Sequence, residues 1–273
     1  MKLFINSIFS LYLACNLNAQ SIIEADGSGK PIDLINSVLD PDRGRALESP
    51  GIKKGDCDNH YNAAQPHITE VFDVELNKYV FKFVIHVKED NDRCKKFDRQ
   101  RNEIKSYRSS PDSLKGIKGE TVKYSWKFKL DKNFKPSKNF THIHQLKSVG
   151  EQPKSKPIIT LTTRKGNPDQ LELCYSNGPQ KGIVLKKIDL DLLRGQWVQV
   201  TETVTYDTIG SYAILIEDLK KEKSILKFKS NNLTLWQKSA EFVRPKWGIY
   251  RSLKSAEYLR DEELLFADFI IQE

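Results

Sequence analysis

The chain has 273 residues, 38% of them hydrophobic, with 44 Lys and Arg against 36 Asp and Glu and a net charge of +8. That length suffices for one large domain with a real core. Past the N-terminal leader, no segment is apolar enough to cross a bilayer as a helix, and the modest basic excess does not choose between simple solubility, an acidic membrane surface, nucleic acid or an anionic polysaccharide.

The opening MKLFINSIFSLYLACNLNA (residues 1–19) reads as a signal peptide. Lys2 supplies the positive start, Leu3 to Ala14 the short apolar stretch, and Leu17-Asn18-Ala19 a cleavage site before Gln20. We therefore expect a secreted or periplasmic protein. Residues 20–65 are polar and scattered with Gly, Pro, Asp and Ser, which predicts an extended N-terminal arm with one short helix near Ile32 to Leu39. The main domain is expected over 66–273. Three cysteines follow the leader, Cys57, Cys94 and Cys174. An oxidising compartment permits one disulfide. Cys57–Cys94 is preferred because both lie in polar segments beside an apolar strand, and nothing in the sequence excludes Cys174.

From Val71 onward short strands follow one another. YVFKFVIHV (Tyr79 to Val87) is one, and TVKYSWKFKL alternates cleanly, with Val122, Tyr124, Trp126, Phe128 and Leu130 on one face. PIITLTTR, LELCYS, QWVQVTETVTY, SYAILIED and LLFADFIIQE continue the pattern, separated by turn clusters such as KGNPD and SNGPQKG. Many short strands with few amphipathic helices predict an all-β sandwich or jelly roll.

Three segments concentrate polar chemistry. In DRQRNEIKSY an extended backbone puts Arg99, Arg101, Glu103 and Lys105 on one face, with Gln100, Asn102 and Ile104 on the other. Such a face is either a self-satisfied ladder of ion pairs or a carboxylate-binding surface in which arginine forks make two-point contacts. In NFTHIHQLK the i, i+2 spacing puts His142 and His144 side by side on a regular strand, with Ile143 facing a core. A lone His-x-His is a weak metal signal, since a zinc site needs further ligands. In RPKWGIYRSL, Trp247 and Ile249 are expected to face the core while Lys246, Gly248 and Tyr250 face outward. A glycine on such a face marks the close approach of a ligand or another backbone.

Taken in order, these segments resemble the signature of jelly-roll polysaccharide lyases. The alginate-lyase pattern of this architecture runs Arg-x-Glu-x-Arg, Gln-Ile-His, Tyr-x-Lys-x-Gly-x-Tyr. Here it reads Arg101-Asn102-Glu103-Ile104-Lys105, His142-Ile143-His144 and Lys246-Trp247-Gly248-Ile249-Tyr250. The wording is more similar to the glucuronan lyase and heparin lyase I type families. Lys105 replaces the second arginine, His142 stands where the alginate pattern has glutamine, and Arg244 replaces the first tyrosine. These departures point away from alginate.

The resemblance implies a concanavalin A-like jelly roll of two antiparallel sheets and cleavage of a uronic-acid polysaccharide by β-elimination. It also implies the division of roles. His144 and Tyr250 are the proton-transfer candidates, and Arg101 and Gln145 the groups that neutralise the uronate carboxylate. Arg99, Glu103, Lys105, His142, Lys246 and Arg251 are the substrate-binding candidates. No cofactor is implied as a requirement, although relatives of this type can carry Ca²⁺. The implied partner is an anionic polysaccharide, with no nucleic acid, no stable membrane insertion and a monomeric state. The competing readings are a non-catalytic carbohydrate-binding module on the same sandwich, and a glycoside hydrolase. The hydrolase needs two carboxylates facing one cleft, and no convincing pair stands out.

Overall fold

Alternation along the strands builds two antiparallel sheets, and their shared apolar faces make the core. The computed structural model describes residues 20–51, 66–151, 156–178 and 182–273. The leader and the Cys57 half of the expected disulfide lie outside the described residues. Cys94 is disulfide-bonded, and Cys174 is a free thiol.

The strands are β1 (Gln20–Ile23), β2 (Leu47–Glu48), β3 (Ile68–Asp73), β4 (Lys78–Ile85), β5 (Arg99–Lys105), β6 (Thr121–Leu130), β7 (Thr141–Gly150), β8 (Ile159–Arg164), β9 (Gln170–Tyr175), β10 (Ile183–Asp189), β11 (Trp197–Thr205), β12 (Gly210–Asp218), β13 (Lys223–Leu233), β14 (Ala240–Ser252) and β15 (Glu262–Gln272). The first sheet runs β13-β12-β11-β6-β15-β4-β3, with β1 added beside β15. The second runs β10-β9-β8-β7-β14-β5-β2. This is the expected β-jelly roll. No helix among the described residues is long and apolar enough to cross a membrane.

The inward faces are those that the alternation predicts. Val122, Tyr124, Trp126, Phe128 and Leu130 of β6 are all buried. Trp126 meets Trp247 of β14 across the interface, ring centroids 5.9 Å apart, and Trp247 in turn meets Phe269 of β15 at 5.1 Å. Burying such aromatic side chains supplies the largest share of a sandwich's apolar stabilisation.

The polar-looking segment 20–51 is built into both sheets rather than lying outside them. β1 pairs with β15, and β2 pairs with β5 through Leu47↔Ile104 and Glu48↔Glu103. The expected helix forms over Pro31–Leu39 (α1), with proline in its first turn. It buries Ile35 and Leu39, spaced i, i+4 on one face. Few but well-placed apolar residues, Ile23, Ile35, Leu39 and Ala46, anchor the segment to the core.

Candidate active site

The open face of the second sheet carries a cleft of about 650 Å³ along β5, β14, β7 and β8. Among the described residues its lining includes Arg93, Lys96, Arg99, Arg101, Lys147, Lys156, Arg164, Arg244 and Lys246, against a single carboxylate, Glu48. A cleft with one sign of charge and low-dielectric walls concentrates its field on a polyanion. These described lining residues include one carboxylate, Glu48, and no facing carboxylate pair of the kind a glycosidase uses.

β5 and β14 deliver their side chains by regular alternation. They pair without a register shift from Lys246↔Lys105 to Ser252↔Arg99. Gly248 has φ +139°, and a Cβ there would collide with the Asn102 carbonyl oxygen. The close approach expected of this glycine is therefore to a neighbouring backbone.

β7 departs from regular alternation, and this corrects the expected pair of histidines. The register slips between His142 and His144 against β8, and between Trp247 and Tyr250 against β14. One extra residue in a strand reverses the face of everything after it. Ile143 and His144 consequently both turn to the core, and Gln145 replaces His144 as the cleft-facing partner of His142. His144 is fully buried, 4.4 Å from the Trp126 ring and 5.7 Å from the Trp247 ring. Its Nε2 lies 2.9 Å from Glu202 Oε2, a buried carboxylate of β11 whose other oxygen accepts from Tyr212. His144 thus has no surface in the cleft.

Tyr250 lines the cleft. Its hydroxyl accepts a hydrogen bond from Arg99 Nη1 at 3.1 Å. The Arg101 guanidinium lies 3.5 Å from its ring centroid, a cation–π contact. Arg99 is itself oriented by a two-point contact with Asp98 (2.7 and 2.8 Å). His142 stands beside Tyr250, ring centroids 5.8 Å apart, and stacks on Phe140 at 4.8 Å. His142 Nδ1 bonds the Thr162 hydroxyl at 2.8 Å, which leaves Nε2 as its remaining polar atom. Burial pushes the His142 pKa down to about 3, and the charges of Arg101, Arg164 and Lys246 add to that effect against the opposing pull of Glu103. The imidazole is therefore neutral at any ordinary pH.

Beneath this surface lies a charge network. Arg101 grips Asp92 through Nε (2.9 Å) and Nη2 (3.1 Å), and reaches Glu103 at 2.5 Å. Glu103 also bonds Gln145 and Lys246, the latter at 2.6 Å. Glu48 joins Arg93 (2.6 Å), Lys105 (2.8 Å), Lys246 (2.5 Å) and Arg101 (3.4 Å). Burial alone would raise the Glu48 pKa, but its four cations outweigh burial and hold the carboxyl well below the usual range. Burial of the Lys105 ammonium has the opposite balance, and its pKa falls to about 7 despite the pull of Glu48.

The expected site residues therefore separate into three groups. Arg99, Arg101, His142, Gln145, Lys246 and Tyr250 line the cleft. Glu103 and Lys105 do not; they lie buried beneath it, where their charges are taken up by network partners, so neither presents itself to a ligand. Arg251 points the other way from Tyr250, as alternation requires. It is fully buried, bonded to Gln100 Oε1 and the Arg260 carbonyl at 2.8 Å each, and burial lowers its pKa to about 10. Arg251 is thus removed from the substrate-binding set. Sequence reading missed Glu48, Asp92 and Phe140. Glu48 has no local signal at all, because its role arises only when β2 docks beside β5.

No protein-family model matches the sequence, and no curated protein matches it. The fold does have solved counterparts. An alginate lyase from Aplysia kurodai superposes with a TM-score of 0.59 at 12% identity, over 92% of this chain and 97% of that one. The endo-β-1,4-glucuronan lyase of the fungus Trichoderma reesei gives 0.53 at 11% identity, over 75% and 86%. An alginate lyase of Pseudomonas aeruginosa gives 0.50 at 13% identity, over 74% and 84%. The chain thus shares the jelly-roll fold of these polysaccharide lyases.

Proposed function

We propose that this protein is a polysaccharide lyase that cleaves a uronic-acid polymer by β-elimination, with a glucuronan-like chain as first substrate class and heparin or heparan sulfate as second. One observation carries the reading: a tyrosine hydroxyl held by an arginine, beside a histidine, in a cleft lined by cations.

The reaction removes the C5 proton of a uronate and expels the 4-linked sugar. The carboxylate on C5 resists that step until its charge is offset, because an enolate-like dianion builds up in the transition state. The cleft floor meets this need. Arg93, Arg101, Lys105 and Lys246 face Glu48, Asp92 and Glu103, which leaves one surplus positive charge when Lys105 is protonated. Gln145 donates one amide N–H to Glu103 and retains a second for the uronate.

Tyr250 is the proton-transfer group. Arg99 at its oxygen and Arg101 over its ring place positive charge where a phenolate carries negative charge. In glucuronate the C5 hydrogen and the O4 leaving group lie on the same side of the ring. Tyr250 alone then takes the proton and returns it to O4. In iduronate they lie on opposite sides, and His142 Nε2 takes the proton while Tyr250 protonates O4. His142 thereby assumes the part that the sequence assigned to His144. We also place the mature chain outside the cytoplasm, on the leader sequence and the disulfide-bonded Cys94.

The test is ultraviolet absorbance of the purified protein mixed separately with glucuronan, heparin, heparan sulfate and alginate. The unsaturated uronyl end absorbs where the polymers do not. A rise with a glucuronate polymer supports the assignment and names the substrate. Binding with no rise for any polymer replaces it with the carbohydrate-binding module.

A further inference from the structure

Behind the cleft, on the opposite side of β5, three side chains with metal-ligating atoms converge. His67 immediately precedes β3, His86 immediately follows β4, and Asp90 lies in the loop that leads to β5. The β3–β4 pairing, Ile68↔Phe83 at its end, brings both histidines to one edge of the first sheet. Asp90 Oδ2 lies 3.1 Å from His67 Nε2 and 3.3 Å from His86 Nδ1. The three ligand atoms all fall within 4.8 Å of one another.

We propose that His67, His86 and Asp90 form a binding site for Zn²⁺ or a similar divalent transition metal. Zinc bonds of about 2.0–2.1 Å in a tetrahedron put neighbouring ligand atoms roughly 3.3 Å apart. The two observed carboxylate–imidazole separations already match that edge. Only the His67–His86 edge has to close, and His86 is the member free to move, with its side chain 37% exposed against 4% for His67 and none for Asp90. Among the described residues, the exposed side leaves the fourth position open to water. Two imidazoles and one carboxylate suit zinc and its neighbours, whereas Ca²⁺ takes six to eight oxygens. The outer partners are also in place. Asp90 Oδ2 accepts from the His86 backbone N–H at 2.6 Å, and the Asp90 carbonyl accepts from Gln100 at 3.0 Å. Such supporting bonds fix ligand orientation.

The site would brace the cleft from behind. Asn102 of β5 bonds the His67 carbonyl at 2.9 Å. Asp92, two residues beyond Asp90, holds Arg101, and Asp98 at the end of the same loop holds Arg99. Both arginines touch Tyr250. A metal on Asp90 therefore fixes the loop that orients them, and its binding does not depend on what the cleft does.

Tag-free protein, freed of metal with a chelator and dialysed, is titrated with Zn²⁺ and separately with Ca²⁺. One equivalent of Zn²⁺ is expected to bind and to raise the thermal midpoint, with no response to Ca²⁺. His86→Gln changes an exposed ligand without disturbing the core. It should weaken Zn²⁺ by more than the roughly 10–100-fold that loss of an outer partner costs, and should abolish the thermal shift. Absence of Zn²⁺ binding by the wild type overturns the proposal. So does binding that is equally tight in His86→Gln, which would place the ion elsewhere on the chain.

Discussion

His142 and His144 stand two residues apart on one strand and occupy opposite sides of its sheet. On the open side, His142 joins Tyr250 in a cleft where, among the described residues, nine Lys and Arg face one carboxylate. On the inner side, His144 lies between two tryptophans and beside a buried glutamate. The first setting leaves an imidazole nitrogen toward the cleft; the second uses the ring to pack the core beside a buried carboxyl group. One bulge residue separates the two outcomes. The lesson is that residue type and spacing nominate chemistry, while strand register decides which nominee meets a ligand.

The most severe break of this contrast is at the cleft. Tyr250→Phe removes only the hydroxyl, and we expect kcat to fall about 10²–10⁴-fold with polymer binding retained. Steady-state rates beside a binding isotherm check both halves. Next comes the network below. Glu48→Gln leaves Arg93, Arg101, Lys105 and Lys246 without their shared anion, and breaking a buried ion pair costs about 3–5 kcal/mol. Denaturant unfolding should show that loss, and turnover should fall with it as Arg101 and Lys246 shift.

His144→Phe tests the inner side. It fills the space between Trp126 and Trp247 but leaves Glu202 with Tyr212 alone, at a cost of about 2 kcal/mol in stability. The folded variant should keep its kcat. A fall in kcat as large as that of Tyr250→Phe, with stability unchanged, would return His144 to the reaction.

The gentlest test is pH. Folding lowers the Lys105 pKa to about 7 from about 10.4 in the unfolded chain. Between those values the unfolded state binds more protons, so this group makes stability rise with pH and withdraws that contribution as pH falls toward 7. Lys105→Met should flatten the stability curve between pH 7 and 10, and change stability at pH 7 by only about 1 kcal/mol, because Glu48 keeps three cations and apolar replacement of a buried ion is often neutral. His142 has the same sign at lower pH. Its folded pKa of about 3 lies below the unfolded value of about 6.5, so its contribution is complete above 6.5 and is lost as pH drops toward 3.

Much of the architecture is legible in the residue pattern itself. Alternation in β6 correctly marks the inward row from Val122 to Leu130, and alternation in β5 and β14 puts Arg99, Arg101, Lys246 and Tyr250 on one face. The same rule, carried one residue further, turns Arg251 inward. The bulge at Ile143 is not legible, because it is a mismatch between β7 and its neighbours β8 and β14 rather than a property of HIHQLK itself. Glu48 is hidden for a related reason. It sits in a polar stretch whose four core anchors are too sparse to show periodicity, and its partners come from segments 45 or more residues away.

Elimination in the cleft and hydrolysis leave different chain ends. The direct measurement is mass spectrometry of the products formed from a glucuronate polymer in heavy-oxygen water. The expected new non-reducing end is an unsaturated uronate, with no label taken up in the cleavage step. Saturated non-reducing ends, with one heavy oxygen entering each new reducing end in the cleavage step, would mean hydrolysis and would overturn the elimination reading.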